Sequence, residues 1–240
     1  MLPKFVWTAF FYAILSGWEG ASLPVLILRI VCCAILGVLA GLAAKAWTKY
    51  LLRKRALEYT LTPKWEKLLC AATAVLGGAA GGLTTGIVAP VCGLLLLVIC
   101  AVVSVTDWLH RIIPNPAVLA LLLLKLALAL PALLRVPGFP EFDLLQSVLG
   151  LAVCFIVFSL PGLFGKKVGA GDIKFAAAMG FFLGLMNALY AVVVMGLLII
   201  AYSVFQRRAP ILEVFKSFIP MGPFIAVGTY AVYLAAQFLL

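Results

Sequence analysis

The sequence predicts an all-α polytopic integral membrane protein with about eight transmembrane or near-transmembrane helices. Of its 240 residues, 66% are hydrophobic and 11% are charged, and the mean hydropathy is +1.23, which is too apolar for a soluble domain of this length. The 18 Lys and Arg residues outnumber the 8 Asp and Glu residues, but they cluster in short connections between apolar runs. This charge therefore indicates membrane topology, and we expect no nucleic-acid partner.

The chain is predicted to form one domain after a short N-terminal segment. Residues 1–22 are expected to be interfacial, because their apolar run is too short to cross a bilayer. Residues 23–240 are predicted to be a single membrane-embedded domain whose first span is 23–44. A basic loop at 45–67 follows, and its seven Lys and Arg residues predict that it is cytoplasmic.

The later apolar runs predict the remaining helices. The stretch 175–205 is too long for one ordinary helix, so we expect two helices packed as a hairpin and broken near Met186 and Asn187. The other predicted spans are 68–83, 87–106, 117–134, 144–164 and 218–240.

Two acidic residues stand apart from the rest. Asp107 and Asp172 adjoin predicted spans at the same membrane face, whereas the other six lie in connections. By itself, Asp172 would most simply cap a helix. Together, two carboxyls held by different helices can share one proton and activate a water molecule between them. Such a pair requires neither a metal nor a covalent intermediate.

Three short motifs carry a family resemblance. The run GAGDIK at 169–174 resembles the GxGD signature of intramembrane aspartyl proteases, and in this form it resembles the type IV prepilin peptidase family. The run DWLHRIIPN at 107–115 is similar to the second active-site motif of that family. The run PMGPF at 220–224 is similar to the motif that opens its last helix.

The resemblance implies a membrane aspartyl endopeptidase that removes the basic leader from type IV prepilin-like precursors. It implies a multi-pass protein of the inner (plasma) membrane with its active site facing the cytoplasm, acting in type IV pilus assembly or protein secretion. The implied partners are prepilin or pseudopilin precursors and the lipid bilayer. Asp107 and Asp172 would be the catalytic pair, and the implied supporting residues are Gly169, Gly171, Lys174, Arg111 and Asn115.

The cofactor expectations follow from the same comparison. Peptidase activity of this kind uses no cofactor and no metal. The larger, bifunctional members carry two CxxC pairs after the first span and use S-adenosylmethionine to methylate the new N-terminus. Residues 45–67 contain no cysteine, so we predict a peptidase that lacks the transferase or has it in altered form. S-adenosylmethionine would be a cofactor only if that activity were retained.

Two other functions fit parts of the pattern. A proton-coupled membrane transporter would also use intramembrane carboxyls, but it would place them near mid-membrane in two repeated halves, and the sequence shows no such repeat. A catalytically inactive assembly scaffold of the same fold would tolerate loss of either aspartate.

Glycine-rich faces are predicted to pack closely against neighbouring helices. They comprise 77–82 on the second span, together with Gly180 and Gly184. The same faces are candidates for a lateral opening that would admit a substrate helix.

Overall fold

The computed structural model describes residues 23–84, 86–136, 139, 142–163, 169–205 and 220–239. Within these ranges the chain is all-helical, which confirms the predicted fold class and helix number. The predicted interfacial segment 1–22 lies outside the described residues. The eight helices are α1 (Leu23–Lys54), α2 (Pro63–Leu83), α3 (Val88–His110), α4 (Asn115–Leu133), α5 (Leu144–Leu163), α6 (Ala170–Leu183), α7 (Leu185–Phe205) and α8 (Gly222–Leu239).

Five of the described helices are long and apolar enough to cross a membrane, namely α1, α3, α4, α5 and α7. Helix α6 has 14 residues, about 21 Å at 1.5 Å per residue, which is shorter than a hydrocarbon core of about 30 Å. The chain is therefore a polytopic membrane protein that also holds short helices inside its bundle.

Helix α3 is the centre of the bundle. It packs against α1, α2, α4 and α8, and 61% of its most apolar window is buried, against 22% or less in the other four candidate spans. Leu96, Val102 and Val103 of α3 are completely buried, as are Phe175 of α6 and Ile225 of α8. A functional group on α3 is therefore held rigidly by helices on several sides.

The basic loop predicted at 45–67 is much shorter in the structure. Helix α1 continues through Lys54, and α2 already begins at Pro63, which leaves 55–62 as the connection. The prediction ended the helix at its first lysine, but no Gly or Pro interrupts the run, and Thr48, Leu51 and Leu52 of its last turns are buried in the bundle. Lys45 and Glu66 form an ion pair of 2.6 Å between α1 and α2.

The predicted break in the stretch 175–205 occurs earlier than expected, at Gly184. This glycine has φ +80°, a left-handed conformation that residues with a Cβ avoid. Asn187, where the break was predicted, is helical, and its side-chain amide donates a hydrogen bond of 3.3 Å to the Leu183 carbonyl.

Helices α6 and α7 pack together as the predicted hairpin. They contact each other directly, and α7 finishes beside the start of α8, where the rings of Tyr202 and Phe224 lie 5.4 Å apart. Helix α8 begins at Gly222, and Pro220 and Met221 remain outside it. The predicted start of this span, at 218, lies outside the described residues.

The glycine-rich faces are closed by neighbouring helices of the same chain. A Cβ on Gly77 would lie 2.6 Å from the Cys33 carbonyl oxygen of α1. A Cβ on Gly180 would overlap the Gly150 carbonyl oxygen of α5. Close packing at both faces is therefore confirmed, whereas a lateral opening at these glycines is absent from this conformation.

Substituting Gly180 with alanine is expected to destabilise the protein. The added methyl would meet the Gly150 backbone and also lie 3.0 Å from the Cys154 sulfur, and overpacking of this kind costs about 1–3 kcal/mol. The measurement is the thermal unfolding temperature in detergent. Gly196→Ala is the matched control, because nothing lies within 4 Å of its Cβ position and alanine favours helix there. A Gly180→Ala protein as stable as the Gly196→Ala control would contradict this packing.

Candidate active site

Asp107 lies in the last turn of α3, and its side chain is 4% exposed. The helix ends three residues later, at His110, because Arg111 adopts a left-handed φ of +55° and its N–H donates to the Asp107 carbonyl at 2.8 Å. Pro114 then directs the chain into α4 with an extended backbone. The sequence placed Asp107 at this helix end, and the structure confirms it.

The Asp107 carboxylate is held by the first residue of α8. Its Oδ2 accepts a hydrogen bond of 2.8 Å from the Gly222 N–H, one of the donors at a helix N-terminus that the helix itself leaves unpaired. A Cβ on Gly222 would lie 2.8 Å from the Asp107 Cβ and 2.9 Å from Oδ2. Only glycine therefore allows α8 to approach the carboxylate this closely.

Asp172 lies in the first turn of α6, and two glycines around it make room for the site. A Cβ on Gly169 would lie 2.5 Å from the Asp172 Oδ2, and a Cβ on Gly171 would lie 3.1 Å from the Cβ of Ile113. Ile113 follows the end of α3, so the glycine motif brings the start of α6 against the turn that follows Asp107. The structure thus brings together both predicted aspartates and both predicted glycines.

The two carboxyls interact electrostatically. Burial raises the pKa of Asp172 to about 6, and the negative charge of Asp107 acts in the same direction. The Asp172 Oδ1 is buried and receives no hydrogen bond from any described residue. Asp172 is therefore the carboxyl of the pair that favours the protonated form.

The remaining predicted supporting residues lie at the edge of the site. Arg111 is exposed, and its charge acts on Asp107. Lys174 and Asn115 are also exposed. Among the described residues, neither of these two forms a hydrogen bond or ion pair with an aspartate.

Helix α3 ends, and helices α6 and α8 begin, at one end of the bundle. We call this the aspartate end. The connection between α1 and α2 also lies here, because His110 Nε2 is 2.7 Å from the carbonyl oxygen of Glu58. Since a carbonyl only accepts, this nitrogen carries the hydrogen. The basic last turns of α1 therefore lie at the same end as Asp107.

Sequence reasoning missed two contacts of the site. The motif at 220–224 was recognised, but its sequence does not indicate that the Gly222 N–H donates a hydrogen bond to Asp107. The signal available was the glycine itself, placed between two prolines at the start of a helix. The packing of Ile113 against Gly171 had no sequence signal.

The cysteines and the single histidine do not form a metal site in the described part of the chain. All six cysteines are free thiols. Within the described ranges, no three His, Cys, Asp or Glu side chains are grouped so that they could hold a metal ion. Cys33, Cys92, Cys100 and Cys154 are buried among apolar side chains, as expected of packing residues.

One family model matches the part of the chain that contains both aspartates. Residues 94–204 match the model described as the type IV leader peptidase family. Through this stretch, which is less than half of the chain, the sequence is similar to the type IV leader peptidase family. No curated protein and no solved structure matches the chain.

The leader peptidase segment begins in α3 and ends in α7, so it includes both Asp107 and Asp172. Helices α1, α2 and α8 lie outside it, and Gly222 is therefore a neighbour of the site that the family match does not cover. The matching family is one of leader peptidases, and five of the described helices are long and apolar enough to cross a membrane.

Proposed function

We propose that the protein is an aspartyl endopeptidase of the GxGD class that cleaves the basic leader from type IV prepilin-like or pseudopilin precursors. The observation that carries the proposal is the close approach of the start of α6 to the turn after Asp107, where a Cβ on Gly171 would lie 3.1 Å from the Cβ of Ile113, and where the charge of Asp107 acts on Asp172. The two carboxyls come from different helices of the stretch that is similar to leader peptidases and meet at one end of the bundle. Two rigid supports of this kind can hold a water molecule in position for attack.

The surroundings of the two carboxyls assign them different roles. Asp107 accepts the Gly222 N–H at the start of α8, and both this bond and the positive end of the helix dipole favour a charged carboxylate. Asp172 has its pKa raised to about 6 and a buried oxygen that no described donor satisfies. Asp107 is therefore the general base, and Asp172 carries the proton.

Cleavage then follows from this assignment. Asp107 takes a proton from water, whose oxygen attacks the scissile carbonyl carbon while Asp172 gives its proton to the carbonyl oxygen. The tetrahedral intermediate collapses when the C–N bond breaks, and the departing amine takes the proton that Asp107 holds. Asp172 recovers its proton from the collapsing hydroxyl, so the pair returns to its starting state.

Charges at the aspartate end support a cytoplasmic active site. Lys45, Lys49, Arg53 and Lys54 all lie on the last turns of α1, which reach this end of the bundle. Basic residues next to spans remain preferentially in the cytoplasm. A precursor whose basic leader also stays in the cytoplasm would present its scissile bond at this interface.

Methyl transfer is not part of the proposal. The peptidase steps above use only the two carboxyls and water, with no cofactor and no metal. The connection at 55–62 is short and contains no cysteine, so it holds no insert with CxxC pairs. S-adenosylmethionine would enter only if a transferase activity were retained elsewhere in the chain.

The test is cleavage of a leader-bearing precursor by the purified protein in detergent, with the products identified by mass spectrometry. We expect one cut at the border between the basic leader and the apolar helix. Asp143→Asn is the matched control and should cleave normally. Its Oδ1 accepts the Gln146 N–H at 3.1 Å at the start of α5, away from the pair, and asparagine keeps that oxygen. Absence of cleavage by folded wild-type protein, or equal cleavage by the double variant Asp107→Asn/Asp172→Asn, would refute the proposal.

A further inference from the structure

A cavity of about 170 Å³ lies between α4, α6, α7 and α8, apart from the aspartates. Its wall includes three polar side chains from three helices, Lys125, Asn187 and Gln237. Tyr233 and Gln237 follow Gly222 by eleven and fifteen residues, about 16–22 Å along α8. The cavity therefore lies toward the opposite end of the bundle, beside the Gly184 break.

Lys125 is the unusual member of this group. It lies ten residues after Asn115 in a helix that is otherwise apolar, and an ammonium group inside a span is costly unless it faces protein or a polar cavity. The side chain is half-buried, and its Nζ lies 5.5 Å from the centre of the Phe142 ring. Nothing in the peptidase mechanism uses this charge.

The side-chain amides of Asn187 and Gln237 line the same cavity as Lys125. Asn187 uses one N–H on the Leu183 carbonyl and keeps a second N–H and its oxygen. The Tyr233 hydroxyl is already engaged, since it donates to the Ala89 carbonyl at 2.6 Å. A lysine with two amides at the wall of a cavity that also has apolar lining residues is a combination that binds an anion.

The outer surface beside the cavity is suited to acyl chains. Leu126 and Leu130 of α4 and Phe238 of α8 are adjacent to lining residues and are exposed. In a bilayer these side chains face lipid tails. An anion that enters the cavity while its chains lie along these side chains is a phospholipid.

The geometry points to a phospholipid site in which the phosphate group occupies the cavity and pairs with Lys125. Asn187 and Gln237 would donate hydrogen bonds to the phosphate oxygens. Asp143 is an acidic competitor, because its charge acts on Lys125, but its Oδ1 already accepts the Gln146 N–H. The site is independent of the proposed peptidase activity and rests on none of its residues.

Three probes separate the parts of the proposed ligand. They are dioctanoyl phosphatidylglycerol, dioctanoylglycerol without the phosphate, and glycerol phosphate without the chains. Each is titrated into the purified full chain in detergent, and the unfolding temperature is recorded. We expect only the phospholipid to raise it, with about tenfold weaker binding to Lys125→Gln than to wild type, equivalent to one lost charge-assisted hydrogen bond. Lys64→Gln, which removes an exposed lysine at the start of α2, should bind like wild type.

Ala236→Leu provides a second test that keeps the charge. Ala236 lines the cavity, so a larger side chain should block it and weaken phospholipid binding even if Lys125→Gln fails to fold. Equal binding to wild type and to both variants would overturn the site. A response to dioctanoylglycerol as strong as to the phospholipid would overturn the role of the phosphate. A response to glycerol phosphate at the same concentration would show that the ligand is a free phosphate ester and not a lipid.

Discussion

Asp172→Asn is expected to abolish leader cleavage and at the same time to stabilise the protein at neutral pH. Asparagine has nearly the same shape as aspartate but cannot transfer the proton that the carbonyl oxygen requires. Acid and base groups of this kind contribute about 10²–10⁴-fold each, so the rate should fall below detection in an ordinary assay. Asp107→Asn should also lose cleavage, because it removes the base.

The gain in stability follows from the pKa of Asp172. The folded protein raises this pKa to about 6 from 3.8, so the folded state binds the proton more tightly than the unfolded chain. The resulting cost is absent below about pH 4, grows as the pH rises between the two values, and is complete above about pH 6. A shift of about two units on a partly buried group corresponds to roughly 1–3 kcal/mol.

The measurement is the thermal unfolding temperature of wild type and Asp172→Asn at pH 4 and pH 7.5. Any effect of the amide that does not depend on pH appears at both pH values, so the informative quantity is how the difference in unfolding temperature between variant and wild type changes with pH. The variant should be more stable relative to wild type at pH 7.5 than at pH 4. A variant that loses cleavage but shows no pH-dependent gain in unfolding temperature would indicate that Asp172 is not held in the buried environment described above.

The two candidate catalytic aspartates could be singled out from the sequence because the signals that mark them are local. An aspartate at the end of an apolar span is rare, and each one lies within a motif of a few residues. Helix α6 starts at Ala170 because Gly169 takes an extended conformation, and the same two glycines that identify the motif also provide the space around Asp172. For this motif, the residues that identify it in the sequence are also the ones that shape it in the structure.

One error arose where tertiary packing overrides local composition. The lysines after 44 were expected to end the first helix, yet burial of Thr48 and Leu52 continues α1 for about three more turns. The hairpin break was predicted near Met186 and Asn187, whereas the backbone turns at Gly184, where φ is positive. This second error has a local cause, because the glycine itself permits the turn.

The contact between Gly222 and Asp107 was beyond sequence reasoning for a different reason. The two residues are 115 positions apart, and no pattern within either motif specifies that one donates to the other. The bond exists because α3 and α8 pack side by side in the bundle core. Its consequence can be tested directly at the glycine.

Gly222→Ala is expected to lower the cleavage rate about 100-fold, because displacements of about 1 Å in a catalytic group have effects of this size. The new methyl would lie 2.8 Å from the Asp107 Cβ and 3.0 Å from its Cγ, so either the carboxylate or the start of α8 must move. Movement of either one weakens the hydrogen bond that favours the charged base. The measurements are kcat and KM on the leader-bearing precursor, with the fall expected in kcat.

Gly196→Ala distinguishes this local effect from a general effect of glycine replacement. It adds the same methyl to an open position of α7 and should leave kcat unchanged. The unfolding temperature of Gly222→Ala is measured as well, because the added methyl lies against the buried Asp107, and kcat is compared at a temperature at which the variant is folded. If kcat were retained while Gly222→Ala folds normally, then the Gly222 N–H would not be what keeps Asp107 in place as the base. The charge of Arg111, which also acts on Asp107, would then be the described group left to favour the charged base.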